Sequence, residues 1–329
     1  MKFLFRTDVH ASDHGPSSWK GDYLGEIVSN LMQIEEIARQ EGVRAVLDGG
    51  DFFHIKAATR NSHSLVQRMI LLHRKYPCPV YGIEGNHDLA YNSIDTVTKQ
   101  PIGVMFASGV FQQLREAVFK EDGLQVRVVG VPYMSDPTLE MLRAIRKQPG
   151  DDCLIVVAHV LAAENPNEAI EDLFGEPVFR YQDLFSEDGP DAWCFGHWHQ
   201  DQGIACLKDD ALHRAVAFVN QGSVSRGALT HENLTRIPKV ALLEFTQEGL
   251  KVRAIPLTVA PASEVFDLEA KHRAEEERGA IEEFVAKLQM SAQQNPEGAI
   301  EETLNNLDFA KDVREAALNY LERARTEVG

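Results

Sequence analysis

The chain has 329 residues, of which 44% are hydrophobic and 25% are charged, and its formal net charge at pH 7 is −17. This length fits one large domain with an appendage, and the composition is that of a globular protein with a sizeable core. Such an acidic chain is not expected to grip nucleic acid over its whole surface, because phosphate binding needs clustered Lys and Arg. No apolar run approaches the roughly 18 residues that span a bilayer. The N-terminus turns polar too soon for a signal peptide. Four cysteines without a Cys-x-x-Cys pair indicate a reducing cytoplasm.

Short apolar runs rich in Val, Ile and Phe alternate with helical patterns along the chain. Runs of about four to eight residues without polar alternation predict strands that are buried on both faces. Two amphipathic segments, at about 23–40 and 62–76, carry apolar residues at spacings of three and four and predict helices. Alternation of strand and helix is typical of α/β proteins. The apolar runs lie at 3–8, 44–48, 79–83, 154–159 and 193–197.

Two further segments predict β-hairpins. One covers about 117–133 with its turn at 121–123, and the other joins 240–245 to 252–255 through a turn at 247–249. With the buried strands, these hairpins predict a sandwich of sheets with helices outside. After residue 261 the pattern becomes almost entirely helical, with a break at 293–296.

Residues that commonly bind metal ions follow five of the predicted strands. Ligands of open α/β sheets gather beyond the carboxyl ends of the strands, so we expect these side chains to meet at one site. Seven side chains exceed the needs of one four-coordinate ion and match two ions about 3.5–4 Å apart. Asp51 is the natural bridge, because a carboxylate has two oxygens to divide between the ions. Carboxylate and imidazole together favour manganese, iron or zinc. The candidate ligands are Asp8, His10, Asp51, Asn86, His159, His197 and His199.

Each candidate ligand also has a structural alternative. Asp8 and Asp51 could cap helices, since both precede expected turns. His197 and His199 could be polar residues at a strand end, and His159 could be a core histidine. Together these alternatives require an ordered coincidence, so the sequence favours the metal site.

Five motifs, taken in order, resemble the calcineurin-like metallophosphoesterase superfamily. They are Asp-x-His at 8–10, Gly-Asp at 50–51, Gly-Asn-His-Asp at 85–88, a lone histidine at 159 and Gly-His-x-His at 196–199. The resemblance covers about residues 1–257 and implies an α/β fold, a four-layer β-sandwich flanked by helices, with a small, mostly helical C-terminal appendage. The segment 50–54 looks like the Gly-Asp-x-Phe-His form of SbcD and meiotic-recombination nucleases. The segment 222–226 resembles the Gly-Ser-x-x-Arg turn of SbcD proteins.

The resemblance implies a role for each site residue. Asp8, His10, Asp51 and His199 would hold one ion, and Asp51, Asn86, His159 and His197 the other. His87 would face the phosphate, stabilise the developing charge and help the leaving oxygen depart. Asp88 would orient His87. His54 would support the phosphate side, or it could be a surface group. Ser223 and Arg226 could contact the substrate or form a plain turn.

The resemblance also implies a domain organisation and partners. We expect a nuclease domain at 1–257, a reduced capping region or linker at 258–295, and a helix-loop-helix at 296–329. A long helix is predicted at about 264–290. The last two helices would dock on an SbcC-type coiled-coil ATPase, although their apolar stripes could instead pack on the catalytic domain. Homodimerisation through 23–32 or 62–69 is a further expectation, and no membrane association is expected.

The function that follows is a metal-dependent DNA nuclease, both exo- and endonuclease, acting as the SbcD-type subunit of a double-strand-break repair or recombination complex. Compact layouts of this kind are typical of phage recombination nucleases. The expected cofactors are two divalent ions, with Mn²⁺ as the first choice and Mg²⁺, Fe²⁺ or Zn²⁺ as alternatives. The competing hypothesis is a nucleotide or small-molecule phosphodiesterase on the same fold. A non-catalytic scaffold is disfavoured, because every expected ligand is present.

Overall fold

Two six-stranded mixed sheets form the centre of the structure, a computed structural model that describes residues 1–166, 171–172, 174–209, 214–227 and 229–269. The strands are β1 (Lys2–Arg6), β2 (Ala45–Asp48), β3 (Val80–Gly82), β4 (Phe111–Gln113), β5 (Glu116–Glu121), β6 (Leu124–Val131), β7 (Cys153–His159), β8 (Ala162–Ala163), β9 (Phe179–Arg180), β10 (Ala192–Gly196), β11 (Gly203–Asp209), β12 (Arg214–Asn220), β13 (Lys239–Thr246) and β14 (Gly249–Pro256). The helices are α1 (Tyr23–Glu41), α2 (His63–His73), α3 (Pro101–Ala107), α4 (Leu139–Arg143) and α5 (Ala262–Val265). Short 3₁₀ helices lie at Ala58–Arg60, Asn86–Asp88, Ala90–Asn92, Ile94–Lys99, Tyr181–Leu184 and Glu232–Leu234.

Each sheet has parallel strands at its centre and an antiparallel hairpin at an edge. The first sheet has the order β14-β13-β1-β2-β3-β4 and is parallel from β1 to β4. The second has the order β11-β12-β10-β7-β6-β5, and β12, β10, β7 and β6 are parallel. The two predicted hairpins are confirmed as β5–β6 and β13–β14. The parallel strands place several loops at the same edge of each sheet, which is where a site is expected.

Side chains that point alternately to the two faces of each strand build the layer between the two sheets. In β7, Cys153, Ile155 and Val157 pack into the interior shared with the first sheet. Leu154 and Val156 pack on the opposite face, under the outer layer. Every residue of β7 is buried, as its unbroken apolar run predicts.

The helices lie outside the sheets. The first three helices cover the first sheet, and the stripe of α1 that includes Ile27 and Leu31 is buried there. Asp22 caps the start of α1, where its side chain accepts a hydrogen bond from the Gly25 N–H at 2.8 Å, and Gly42 caps the end with φ 62°. Among the described residues, α4, a 3₁₀ turn and loops cover the second sheet. The predicted α/β sandwich is therefore confirmed.

The chain leaves the second hairpin and packs back on Trp19, in the segment before α1. Phe266 is fully buried and extended (φ −106°, ψ 143°), and its ring lies 5.0 Å from that of Trp19. The short helix α5 ends at Val265, and most of the helix predicted at about 264–290 lies outside the described residues. The compact unit runs from Met1 to Phe266, and a second unit begins at Asp267. Residues 270–329, with most of the predicted cap and the helix-loop-helix, lie outside the described residues. In the described part of the chain, none of the helices has the length and hydropathy of a membrane span.

Candidate metal centre

The loops that follow five parallel strands meet at one place, and four of the candidate ligands in them have positive φ angles. Asp8 (φ 52°), His10 (φ 50°), Asp51 (φ 52°) and His197 (φ 88°) all lie in the left-handed region. Such conformations are uncommon for residues other than glycine and cost free energy that the surrounding fold must supply. The loops also bond to one another, since the Asp8 N–H donates to the Gly50 carbonyl and the His10 N–H to the Asp51 carbonyl, both at 3.0 Å.

Four predicted ligands form one group. The ligand atoms of Asp8, His10, Asp51 and His199 all lie within 4.8 Å of one another. The Nε2 atoms of His10 and His199 are 2.8 Å apart, and His199 Nε2 lies 3.7 Å from Asp8 Oδ1. His10 is buried, whereas the His199 side chain is 51% exposed. This group therefore lies at the surface on its His199 side.

The remaining predicted ligands form a second group around the same aspartate. The ligand atoms of Asp51, His159 and His197 lie within 4.8 Å of one another. His159 Nε2 is 3.5 Å from Asp51 Oδ2 and 3.3 Å from Asn86 Oδ1. The other ring nitrogen of His159, Nδ1, donates to the Gly49 carbonyl at 2.7 Å, so Nε2 is the atom turned to the site. All seven predicted ligands are thus brought together in two groups that share Asp51.

The shared aspartate provides a test of whether cations fit. Asp51 Oδ1 accepts the His87 N–H at 2.7 Å, whereas Oδ2 is buried and has no hydrogen-bond donor. That oxygen lies 3.8 Å from His10 Nε2 and 3.5 Å from His159 Nε2. An unsatisfied buried carboxylate oxygen is costly. Carboxylates, imidazoles and one amide are a ligand set that suits divalent transition metals. The site can therefore hold metal ions around Asp51.

The electrostatics differ between the two groups. Burial lowers the pKa of His10 well below its ordinary value, and the neighbouring imidazole of His199 lowers it further. Burial would also lower the pKa of His159, but the charge of Asp51 outweighs it and raises that pKa to about 9. Burial opposes ionisation of Asp51, yet the charges of His159 and His10 hold its pKa well below the usual range. The carboxylate is therefore ionised, as a metal ligand must be.

Two further predicted residues stand at the mouth of the site. His87 is half-buried, and its Nδ1 donates to the backbone carbonyl of His54 at 2.6 Å. The exposed His54 ring stacks on that of His87 with centroids 5.3 Å apart and an angle of 17°. His54 Nδ1 lies 3.3 Å from His10 Nδ1. His54 is therefore a member of the site and not a remote surface group.

Asp88 does not act as predicted. Its carboxylate is buried and accepts hydrogen bonds from the backbone N–H groups of Phe52, Phe53 and Gly85 at 3.1–3.2 Å. The prediction that it orients His87 is wrong, since the His54 carbonyl holds that ring. Asp88 instead ties the loop after β2 to the loop after β3.

Arg226 and Ser223 are buried, 3% and 2% exposed, so the predicted substrate contact is wrong. The Arg226 guanidinium donates to both Glu26 oxygens at 2.9 and 3.0 Å. The Ser223 hydroxyl donates to the Ser225 carbonyl and accepts from the Arg236 guanidinium. Both side chains already have hydrogen-bond partners inside the protein, as expected if they belong to a plain turn.

The turn at 222–226 nevertheless supports the site. Gly222 has φ 66°, which favours glycine, and a Cβ there would meet the carbonyl oxygen of His199. The Ser223 N–H donates to that same carbonyl, and the Val224 N–H donates to the Thr7 carbonyl, both at 3.1 Å. The turn therefore braces one loop of each sheet.

Sequence reasoning missed two residues beside the second group. Glu176 Oε2 lies 3.0 Å from His197 Nε2, and the Tyr133 hydroxyl donates to Glu176 Oε1 at 2.9 Å. Burial and the Glu176 charge raise the pKa of Tyr133 to about 12, so the hydroxyl keeps its proton. Tyr133 follows β6, and its position after a strand was an available signal. Glu176 follows no apolar run, and nothing in its local sequence marks it.

A cavity of about 520 Å³ opens over the site. The described residues that line it include no Lys or Arg. They are Asp51, Asn86, His87, Phe174, His197, Trp198, His199 and Gln200.

Comparison with known proteins identifies the family. The family described as calcineurin-like phosphoesterase matches residues 1–201, which is more than half of the chain. Similar solved structures include a dimetal phosphatase from Danio rerio, with 11% identity over 78% of this chain and 99% of that chain and a TM-score of 0.48. Another is the sulfate thiohydrolase SoxB from Thermus thermophilus in complex with glycerol, with 13% identity over 78% of this chain and 56% of that chain and a TM-score of 0.40. A third, also from Thermus thermophilus, shows 14% identity over 77% of this chain and 97% of that chain with a TM-score of 0.41. No functionally curated protein matches this chain. The chain belongs to the calcineurin-like phosphoesterase family, and its chemistry is metal-dependent hydrolysis of phosphoesters.

Proposed function

We propose that this chain is a metal-dependent DNA nuclease, the SbcD-type subunit of a double-strand-break repair or recombination complex. The observation that carries the proposal is the position of His54, the residue that distinguishes the Gly-Asp-x-Phe-His pattern. It stacks on His87 and lies 3.3 Å from His10, and these contacts support a role for it on the phosphate side of the site. The position of His54 beside these two histidines favours a role in the site over that of an ordinary surface histidine.

The residues divide the chemistry between them. The two ligand groups around Asp51 would hold two divalent ions, with Mn²⁺ as the first candidate and Mg²⁺, Fe²⁺ or Zn²⁺ as alternatives. When bound, such ions act as Lewis acids and make a nucleophile from water near neutral pH. Because His87 Nδ1 donates to the His54 carbonyl, Nε2 is the remaining ring nitrogen: it accepts a proton in the neutral ring and donates one toward a phosphate or leaving oxygen from the imidazolium.

The surroundings of the site bear on the substrate and the partner. His54 and His199 are exposed, so a polymer can approach the ions from the surface. The described cavity lining offers no Lys or Arg for the DNA backbone, and the net charge is −17. This lining fits a site at which the ions and a partner neutralise the phosphates. An SbcC-type ATPase that clamps the DNA meets this need.

Self-association is the second partner proposal. Met32 on α1 is 54% exposed and Leu71 on α2 is 52% exposed, and both line one groove of about 280 Å³. The groove also carries Glu35, Arg68 and Lys75, and its exposed apolar side chains, on and beside the segments 23–32 and 62–69, support a homodimer through this face. Sedimentation of Met32→Lys, with Val104→Lys on α3 as the control, tests it. A monomeric wild-type chain would overturn the proposal.

Cleavage of labelled DNA with Mn²⁺ tests the nuclease proposal. Single-stranded and linear double-stranded DNA should both be cut by the wild-type chain. His87→Gln should lose about 100-fold or more of this activity, in the range expected for an acid–base group. His14→Gln changes an exposed histidine outside the site and serves as the matched control. No cleavage with any divalent metal, with or without an ATPase partner, would overturn the proposal.

The cavity itself favours a second candidate function. A volume of about 520 Å³ falls in the range of small-molecule pockets, and its described lining has no Lys or Arg to hold a polyanion. A nucleotide or small phosphodiester is the substrate that fits this description. Turnover of cyclic nucleotides or bis-p-nitrophenyl phosphate, without turnover of DNA, would select this function over the nuclease.

A further inference from the structure

Glu176 and Tyr133 make a chain of polar contacts that ends on a candidate ligand. The Tyr133 hydroxyl donates to Glu176 Oε1 at 2.9 Å, and Glu176 Oε2 lies 3.0 Å from His197 Nε2. Both carboxylate oxygens are therefore engaged, one by each partner. The His197 backbone N–H donates to Asp8 at 3.1 Å, so the ring and the backbone of this residue are both held.

Tyr133 is fixed by its own surroundings. Its backbone N–H donates to the Glu84 carbonyl at 2.8 Å, and its side chain is buried. The ring packs edge-on against His197 and His159, with centroids 5.6 and 6.2 Å away. The tyrosine thus touches the two histidines of the second ligand group and anchors the carboxylate beside them.

We propose that Glu176 is a positioning residue for the second metal site, which holds the His197 ring with Nε2 protonated and leaves Nδ1 as the ligand atom. A carboxylate behind a ligating imidazole fixes its tautomer and orientation and makes it a stronger donor to the ion. Tyr133 completes the arrangement by holding the carboxylate in place. The inference rests on the proposed role of His197 as a ligand, but it is independent of whether the substrate is DNA.

A plain ion pair between Glu176 and His197 is the competing explanation. Such a pair would add to stability and would leave metal affinity unchanged. The acidic side chain is also absent from the groups whose ligand atoms cluster within 4.8 Å, although Asp51, His159 and His197 form such a group. Glu176 is therefore placed behind the ligand and not among the ligands.

Calorimetric titration of the metal-stripped full chain with Mn²⁺ tests the proposal. Wild type should show two sites, and Glu176→Gln should weaken one of them by about 10- to 100-fold and leave the other within about threefold. Tyr133→Phe should weaken the same site by a smaller factor. Glu187→Gln changes an exposed glutamate elsewhere and should bind as wild type does. Thermal unfolding and near-UV circular dichroism report whether each variant keeps its fold.

A second measurement reads the tautomer directly. Long-range ¹H–¹⁵N spectra of histidine-labelled chain, assigned with a His197→Gln variant, should show Nε2–H on His197 in wild type. Glu176→Gln should shift this ring toward the other tautomer, and the loss of Mn²⁺ affinity at one site separates the positioning role from a plain ion pair. Unchanged Mn²⁺ affinities, or equal loss at both sites, would overturn the role of Glu176 and leave the proposed function standing. A wild-type chain that binds no Mn²⁺ would overturn both.

Discussion

The stability of this fold should fall in mild acid because of one buried histidine. His73 is 4% exposed, and both of its ring nitrogens are engaged. Nδ1 donates to the Met69 carbonyl at 2.8 Å, and Nε2 accepts from the Arg6 guanidinium at 2.8 Å. Burial and the adjacent Arg6 charge lower the pKa of His73 well below its ordinary value. The neutral ring is therefore the only form that the folded state accommodates.

The charged surroundings of His73 fix the sign of this effect. Arg6 is itself paired with Asp48 at 2.7 Å and donates to the Tyr76 hydroxyl at 2.8 Å. The Asp48 carboxylate contacts Arg6 and not the imidazole, so the nearest charge to the histidine is the positive guanidinium. Above the unfolded pKa of about 6.5 the histidine is neutral in both states, so it does not change the free energy of unfolding. Below that pH the unfolded chain binds a proton and the folded chain does not, so the free energy of unfolding falls.

The expected loss follows from the ordinary pKa of histidine. Lowering the pH from 7.5 to 5.5 reduces the free energy of unfolding by about 1.4 kcal/mol for one such group, because one pKa unit corresponds to about 1.36 kcal/mol. The His73→Gln variant keeps an acceptor for Arg6 but cannot titrate, so it isolates this contribution. Urea unfolding of both proteins at the two pH values, with EDTA to remove metal linkage, gives the difference. If the wild type loses less than about 0.5 kcal/mol more than the variant, the argument is wrong.

Three other changes test separate parts of the structure. Asp51→Asn removes the shared charge, so Mn²⁺ binding at both sites and phosphodiester hydrolysis should fall by about 100-fold or more, as calorimetry and turnover of bis-p-nitrophenyl phosphate would report. Arg226→Met leaves the Glu26 carboxylate unpaired inside the protein and should cost about 3 kcal/mol in urea unfolding, with KM unchanged; a raised KM would restore the substrate-binding role. Gly222→Ala places a Cβ against the His199 carbonyl at φ 66°, so stability should fall by about 1 kcal/mol or more and turnover should fall with it. Full activity in that variant would show that the turn does not brace the site.

The predicted strands and ligands came from patterns that are local in the chain. The run that becomes β7 is apolar throughout, and a strand buried on both faces needs this pattern wherever it lies. His159 ends that run, and a parallel strand delivers its last residue to the same edge as its neighbours. Strand order and the exact bounds of the helices were not needed to place the ligands, because each lies at or just beyond a strand end.

The wrong predictions concern residues whose partners lie far away in sequence. Arg226 was interpreted from its motif alone, yet its partner Glu26 is 200 residues away on α1. Asp88 was assigned to the adjacent His87, but its carboxylate bonds the backbone of the loop after β2. None of these pairings has a local signature.

The sequence by itself determined the element types and the residues that can bind cations, because apolar periodicity and side-chain chemistry are properties of short segments. Only the tertiary structure decided which polar groups meet. It turned Asp51 Oδ2 toward two imidazoles, buried Arg226 against Glu26, and placed Glu176 behind His197. The physical reason is that a hydrogen bond depends on positions within about 3 Å, and the packing of the two sheets, not the order of the residues, sets such distances.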